Sequence, residues 1–373
     1  MTRLLIGDDS ALMRKLLSGI FADEGDFEIA TARNGEEVLQ VAARFKPDVA
    51  TLDIHMPVMD GLECLSRLML ENPCPVVMVS SLTREGAAAT LDALALGAID
   101  YVAKPDGALS LHIDQLRPLL VDKVRTAARA RPRPSLRLRE RVNLQMRQAA
   151  ERAAAVMPRP RPVSPATAPM PLAEMGGEGL VVIGSSTGGP HALEAILSGL
   201  PAAFPLPVVV AQHMPSQFTA IFAERLDRIC AVRVVEVAQP TLLDPGHVYI
   251  ARGDADMVIG RRAAGLMALP APSSPDHVWH PSVDRLVESA MRHVAPRRLL
   301  GVLVTGMGND GAAAMAALHE QGGRTIAEAE ETAIVWGMPG ELVRRGGAGI
   351  VAPLPEIAAA IVREVQADAA HQA

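Results

Sequence analysis

Leu180-Val181-Val182-Ile183-Gly184-Ser185-Ser186-Thr187-Gly188-Gly189-Pro190 decides how the second half of this chain folds. An aliphatic run leads into small residues and then a proline suited to a first helical turn, so the stretch reads strand, sharp turn, helix. Its hydrophobicity is continuous rather than alternating, as in a parallel strand covered on both faces. Gly184 to Gly188 fits G-x-S-x-G, with Ser186 at the apex and Ser185 one position off. The small flanking residues let the turn expose the Ser186 hydroxyl, and the helix behind it offers backbone N–H groups to a developing oxyanion.

Outward from that turn the same alternation repeats. Strands are expected at 208–211, 234–237, 299–304 and 324–327, and helices at 191–198, 218–229, 283–293 and 312–321. This is a second, doubly wound, mostly parallel α/β sheet. Three short apolar runs at 248–250, 257–259 and 266–268 lie close together, which predicts a small antiparallel meander inserted there. A serine hydroxyl needs a base and a group to orient that base. Gln212-His213-Met214-Pro215 puts His213 beyond one strand, and Gly306-Met307-Gly308-Asn309-Asp310-Gly311 puts Asp310 in a glycine-rich turn beyond another. Singly, each is an ordinary turn residue; together with Ser186 they reach one sheet edge. A phosphate cradle at Gly184 to Gly189 is disfavoured, because no Walker lysine follows and the GxGxxG spacing is absent.

The first 130 residues read as βα repeated five times, with apolar runs at 4–6, 27–31, 49–52, 76–79 and 99–102 and helices such as 11–21 and 86–96. In open α/β sheets the functional crevice lies beyond the carboxyl ends of the strands. Asp8 and Asp9 follow the first strand here, Asp53 ends the third, Ser80 the fourth, and Lys104 before Pro105 the fifth. Three converging carboxylates repel one another unless a hard dication such as Mg²⁺ sits among them. Lys104 and Ser80 then suit the oxygens of a phosphoryl group.

At 373 residues the chain exceeds one typical core, in agreement with two domains. Between them, Arg131-Pro132-Arg133-Pro134 and Pro158-Arg159-Pro160-Arg161-Pro162 mark a Pro/Arg/Ala-rich linker, whose stretch 135–155 has some helical character. Its arginines lack interleaved aromatics, the chain is only 3% aromatic, and its net charge is -6, so neither nucleic acid nor an anionic membrane is the expected partner. Cys64, Cys74 and Cys230 form no metal-ligand spacing and read as buried thiols in a reducing compartment. No signal peptide or membrane-length apolar run is seen, so a cytoplasmic protein without membrane insertion is expected.

Residues 1–125 resemble a bacterial response-regulator receiver domain, through Asp8-Asp9, Leu52-Asp53-Ile54-His55-Met56-Pro57, Met59-Asp60-Gly61, Ser80 and Lys104-Pro105 in order. The resemblance implies a five-stranded parallel, flavodoxin-like sheet. It also implies that Asp53 accepts a phosphoryl group from a histidine kinase with Mg²⁺ held by Asp8, Asp9 and Asp53. Ser80 and Lys104 would sense the phosphate, and Tyr101 matches the switch aromatic. Residues 178–366 resemble the catalytic domain of the chemotaxis protein-glutamate methylesterases. The matching segments are Gly184-Ser185-Ser186-Thr187-Gly188-Gly189, Gln212-His213-Met214-Pro215, Pro281-Ser282-Val283-Asp284, Thr305-Gly306-Met307-Gly308-Asn309-Asp310-Gly311 and Gly337-Met338-Pro339. Residues 126–177 are then the linker and 367–373 a tail. By this resemblance Ser186 is the nucleophile, His213 the base and Asp310 its orienting partner, with Thr187 and Met307 lining the site.

The implied activity is hydrolysis of glutamyl methyl esters on methylated chemoreceptors, together with glutamine deamidation, by a monomer that needs no cofactor for the ester chemistry. The receiver would cover the catalytic edge until Asp53 is phosphorylated. His55 stands where this branch commonly has glutamate, Arg252 replaces a proline, and His280 stands where arginine is common; the last two are expected to alter the substrate-facing rim. A non-catalytic receiver-linked adaptor would not require the Ser, His and Asp set. A general α/β-hydrolase would run Ser, acid, His, whereas the order here is Ser186, His213, Asp310. A methylesterase-like regulator of a pathway other than chemotaxis remains the nearest alternative.

Overall fold

The computed structural model describes residues 1–81, 83–104, 109–130 and 179–370. Most of the expected linker, Pro105 and the end of the expected tail lie outside the described residues. In the first half, β1 (Thr2–Gly7), α1 (Ala11–Glu24), β2 (Phe27–Ala32), α2 (Gly35–Phe45), β3 (Val49–Asp53), α3 (Gly61–Glu71), β4 (Val76–Ser80), α4 (Arg84–Leu96), β5 (Asp100–Ala103) and α5 (Leu109–Arg129) alternate as expected. The strands are parallel in the order β2-β1-β3-β4-β5. β3 and β4 are buried throughout, which explains their unbroken aliphatic sequences. The order reverses between β1 and β3, so the crevice opens where Asp8, Asp9 and Asp53 emerge. α5 continues through residues 126–129, past the boundary expected for the linker.

The second half contains β6 (Leu180–Ser185), α6 (Gly189–Leu197), β7 (Val208–Gln212), α7 (Ser216–Ile229), β8 (Arg233–Val237), β9 (Thr241–Leu242), β10 (His247–Ala251), β11 (Asp256–Arg262), β12 (Gly265–Ala271) and α8 (Val283–His293). It ends with β13 (Leu299–Leu303), α9 (Ala312–Glu320), β14 (Arg324–Glu328), α10 (Met338–Arg344), β15 (Ile350–Ala352) and α11 (Leu354–Ala370), the last helix running into the expected tail. Seven strands form a parallel sheet in the order β15-β14-β13-β6-β7-β10-β8. The chain enters at β6, in the middle, and turns one way to β7 and later the other way to β13. The crevice after those three strands is therefore the switch point of this sheet.

One expectation needs correction. The run at 248–250 is not part of an antiparallel meander: β10 lies between β7 and β8 as a parallel strand, and β11 and β12 make the antiparallel hairpin with β9 at its side. The physical reason is burial on both faces, since Val248, Tyr249, Ile250 and Ala251 are all 2% exposed or less.

The two halves pack against each other. Tyr101 of β5 lies on Phe218 of α7 with ring centroids 4.5 Å apart, and one contiguous apolar cluster contains residues of both sheets. Arg225 of α7 bridges Glu194 of α6 at 2.5 Å and Asp92 of the receiver-like α4 at 2.6 Å. Among the described residues no helix is long and apolar enough to cross a membrane.

Candidate active site and phosphoacceptor site

Ser185 pairs in register with Gln212 across β6 and β7, so Ser186 and His213 are the next residues out on adjacent strand ends. The His213 N–H donates to Ser185 O at 3.0 Å, and the Ser186 N–H to Thr305 O at 3.0 Å. The two serines have different environments. Ser185 is fully buried and its hydroxyl donates to Gln212 Oε1 at 2.7 Å, whereas Ser186 is half-buried at the turn. Gly188 follows with φ 77°, in the left-handed region that suits glycine. A Cβ on Gly189 would overlap Gln212 Oε1, so the turn closes only around a bare backbone.

His213 Nε2 lies 2.8 Å from Asp310 Oδ2. Because a carboxylate only accepts, Nε2 carries the proton and Nδ1 is left with its lone pair. Nδ1 is buried and has no hydrogen-bond partner. The structure thus pairs His213, the expected base, with Asp310, its expected partner, while Ser186 Oγ, at the adjacent strand end, is not hydrogen-bonded to the imidazole; such bonds are often long before substrate binds. The Trp279 ring runs parallel to the imidazole, with centroids 6.1 Å apart.

Asp310 is held from the far side by the start of α8. Its Oδ1 accepts from Ser282 Oγ at 3.1 Å and the Asp284 N–H at 3.0 Å, and its Oδ2 accepts from the Val283 N–H at 2.7 Å. Burial alone would raise its carboxyl, but the His213 bond and charge and these backbone donors hold it below the ordinary aspartate value. Asp256 braces the same turn by accepting the Ser282 N–H at 2.8 Å and His280 Nδ1 at 3.0 Å. His280 is therefore engaged with Asp256 beside the turn that holds Asp310, and Arg252 is exposed.

Several residues without a role in the sequence reading belong to this architecture. Gln212 Nε2 donates to Ser186 O and His213 O, both at 3.0 Å, so one amide ties the nucleophile turn to the base. Thr305 takes part through its own backbone and hydroxyl, and Ser282 and Asp256 through the α8 turn. Gln212 and Ser282 sit inside motifs already singled out, and that adjacency is the only sequence signal they carry.

At the other crevice, ligand atoms of Asp8, Asp9 and Asp53 all lie within 4.8 Å of one another. Lys104 Nζ is 2.7 Å from Asp53 Oδ2 and 3.0 Å from Asp8 Oδ2. Asp8 Oδ2 is buried and, despite that close ion pair, receives no well-aligned hydrogen bond. Burial raises the Asp8 carboxyl more than Lys104 lowers it, and for Lys104 the attraction of Asp53 and Asp8 outweighs burial and raises the ammonium. An oxygen-only cluster with an under-satisfied buried carboxylate fits a hard dication such as Mg²⁺. Ser80 is not turned toward Asp53: its hydroxyl bonds Gly86 O and Ser81 O, both at 3.3 Å. Tyr101 is 5% exposed, and its hydroxyl has no partner.

The receiver-like sheet reaches the serine site. Thr187 Oγ1, next to the candidate nucleophile, donates to Asp100 Oδ2 at 2.5 Å, and Thr126 Oγ1 contacts the Met307 sulfur at 3.0 Å. Asp100 is fixed in turn by Lys123 Nζ at 2.8 Å and the Tyr101 N–H at 2.7 Å. Both residues expected to line the site are therefore covered by β5 and α5.

A family model described as CheB methylesterase matches residues 181–361, and one for the response regulator receiver domain matches residues 4–113. A Rhodopseudomonas palustris (strain BisB18) protein named protein-glutamate methylesterase/protein-glutamine glutaminase 2 is 57% identical over 370 residues, covering 99% of this chain and 100% of its own. A Rhodospirillum rubrum protein of the same name, numbered 3, is 53% identical over 96% of this chain and 95% of its own. The crystal structure of the Thermotoga maritima CheB methylesterase catalytic domain is 36% identical, covers 50% of this chain and 98% of that chain, and gives a TM-score of 0.48. With relatives this similar over nearly its whole length and theirs, the chain belongs to the protein-glutamate methylesterase/protein-glutamine glutaminase family, a receiver domain joined to a CheB-type methylesterase domain.

Proposed function

We propose that this chain hydrolyses glutamyl methyl esters on the cytoplasmic helices of chemoreceptors, and deamidates glutamines there, under control of phosphorylation at Asp53. The observation that carries the reading is the buried His213–Asp310 pair at 2.8 Å, with Nδ1 unpartnered and Ser186 at the adjacent strand end. Ser186 Oγ attacks the side-chain carbonyl while His213 Nδ1 takes its proton; Asp310 fixes the tautomer and stabilises the imidazolium. The oxyanion is met by amides after the nucleophile, Thr187 and Gly188, since the Ser186 N–H is already bonded to Thr305 O. The imidazolium returns its proton to the departing methanol, or to ammonia from glutamine. Water, deprotonated by the same Nδ1, then cleaves the glutamyl-Ser186 ester.

Asp53 is the phosphoacceptor for a histidine kinase, and Asp8, Asp9 and Asp53 are the residues that would hold Mg²⁺. When bound, that ion neutralises charge on the transferring phosphoryl oxygens. In the state described here Lys104 pairs with Asp53 itself, Ser80 faces the first turn of α4, and Tyr101 is packed on Phe218. Phosphorylation adds a charge of roughly -1.5 to -2, which draws Lys104 and Ser80 and loosens the packing around β5. The contacts of Asp100 with Thr187 and of Thr126 with Met307 support reading this state as the inhibited one. The chain acts as a cytoplasmic monomer.

The test is methanol release from methylated receptor, with Ser186→Ala beside wild type. Loss of triad nucleophiles lowers turnover by several orders of magnitude, roughly a million-fold in the best-studied serine hydrolase. Turnover of Ser186→Ala close to wild type defeats the assignment.

A further inference from the structure

Glu328 ends β14 on the side of β13 away from the nucleophile, and it is 0% exposed. Its Oε2 accepts the Thr305 N–H at 2.8 Å and its Oε1 bonds Thr332 Oγ1 at 3.1 Å, while its backbone oxygen accepts Trp336 Nε1 at 2.9 Å. Thr305 comes from the end of β13, and Thr332 and Trp336 from the segment after β14. None of these neighbours is charged, and no Lys, Arg or His is within ion-pair distance among the described residues. Burial lifts the carboxyl to about 7, with the Thr305 and Thr332 bonds offsetting only part of that. A carboxyl without a cation in a packed core is unfavourable unless it is neutral and hydrogen-bonded.

The hydrogen bonds continue from Glu328 across four strand ends. Thr305, whose N–H Glu328 holds, accepts the Ser186 N–H on its carbonyl at 3.0 Å and donates its hydroxyl to Thr187 O at 2.9 Å. Ser186 O then accepts Gln212 Nε2 at 3.0 Å. Thr305 thus holds the peptides before and after the one between Ser186 and Thr187, whose N–H would meet the oxyanion, and Glu328 holds Thr305. We propose that Glu328 is a positioning residue for the nucleophile turn, acting through Thr305 to aim Ser186 and the Thr187 amide. This deepens the serine-hydrolase reading and rests on Ser186 being the nucleophile. An uncharged carboxyl accepts from Thr305 and donates to Thr332 once the Thr332 hydroxyl turns from Glu328 to its other acceptor, Ala329 O at 3.3 Å. Ionised, it would place a negative charge behind the site where the tetrahedral oxygen becomes negative.

The experiment measures Ser186-dependent hydrolysis of p-nitrophenyl acetate by the full chain, with the Ser186→Ala rate subtracted, for wild type, Glu328→Gln and Glu328→Ala. A misaimed reacting group lowers kcat on the order of 10- to 100-fold, so Glu328→Ala should fall by that much with KM little changed. Glu328→Gln keeps one acceptor for Thr305 and one donor for Thr332; it should match wild type near pH 6 and lack the loss of kcat that wild type shows above about pH 7. Glu328→Ala at the wild-type rate, or superimposable pH profiles for wild type and Glu328→Gln, overturns the proposal. Should Glu328→Ala prove unfolded by circular dichroism, the glutamine profile decides. Wild type that cleaves the nitrophenyl ester through Ser186 but releases no methanol from receptors defeats the methylesterase reading while leaving Glu328 in its role. Absence of any Ser186-dependent cleavage overturns both.

Discussion

Replacing Asp100 by asparagine should release the catalytic edge without any phosphoryl group. The Asp100 carboxylate accepts from Thr187 Oγ1 at 2.5 Å, Lys123 Nζ at 2.8 Å and the Tyr101 N–H at 2.7 Å. An asparagine keeps one carbonyl oxygen for the Lys123 and Tyr101 donors and turns its NH₂ to the Thr187 hydroxyl, so a charge-assisted bond becomes a neutral one. Asp100 and Thr187 are each 5% exposed, so solvent does not make up the difference. A hydrogen bond to a charged group contributes about 1.5–3 kcal/mol and a neutral one about 0.5–1.5, a difference of about 1–1.5, and each 1.4 kcal/mol is tenfold in an equilibrium. The ratio of open to closed chain should therefore rise roughly 5- to 10-fold, and basal turnover with it while the closed form still dominates. The assay is methanol release from methylated receptor without phosphodonor, with circular dichroism as the control for folding. A folded Asp100→Asn protein with wild-type basal turnover and undiminished stimulation by phosphodonor refutes the view that this contact closes the site.

Two further outcomes follow from the crevices. Asp53→Asn should keep basal turnover and lose all stimulation by acetyl phosphate with Mg²⁺, measured by the same methanol assay; retained stimulation would move the phosphoacceptor elsewhere. Glu328 has its native carboxyl raised to about 7 from 4.5, so the folded state binds the proton more tightly, and the stability this gives is full below about pH 4.5 and lost as pH rises to about 7. The melting temperature of wild type relative to Glu328→Gln should fall across that window by the equivalent of roughly 3 kcal/mol, and a pH-independent difference would contradict the buried neutral carboxyl.

The sequence is most legible at strand ends. Asp8, Asp53, Ser186, His213 and Asp310 each follow an aliphatic run whose continuous hydrophobicity marks a buried parallel strand, and that placement alone converges them on two edges. The 248–250 run was misassigned to the meander because a short apolar stretch beside two others gives no sign of its partner; only the packing of β10 between β7 and β8 settles it. Glu328 was hidden by its neighbours, since Glu328-Ala329-Glu330-Glu331 reads as a solvated acidic stretch until the strand register buries its first member. The contacts of Asp100 and Thr126 with the catalytic edge join residues 87 and 181 positions apart, beyond the reach of local periodicity. The side-chain direction of Ser80 is likewise a property of the packed state, not of its place at the end of β4.

The apolar cluster shared by the two sheets sets a limit on this switch. Parting the domains leaves Tyr101, Phe218 and their neighbours in water, and a single phosphoryl group at the far crevice must compensate for that. Residues in the shared cluster are therefore under opposing demands. More apolar area packed there without strain would silence the enzyme even when phosphorylated, and less would leave it permanently on. Heating should report the same coupling, with one cooperative transition for the unmodified chain and two resolved transitions once Asp53 carries its phosphoryl group.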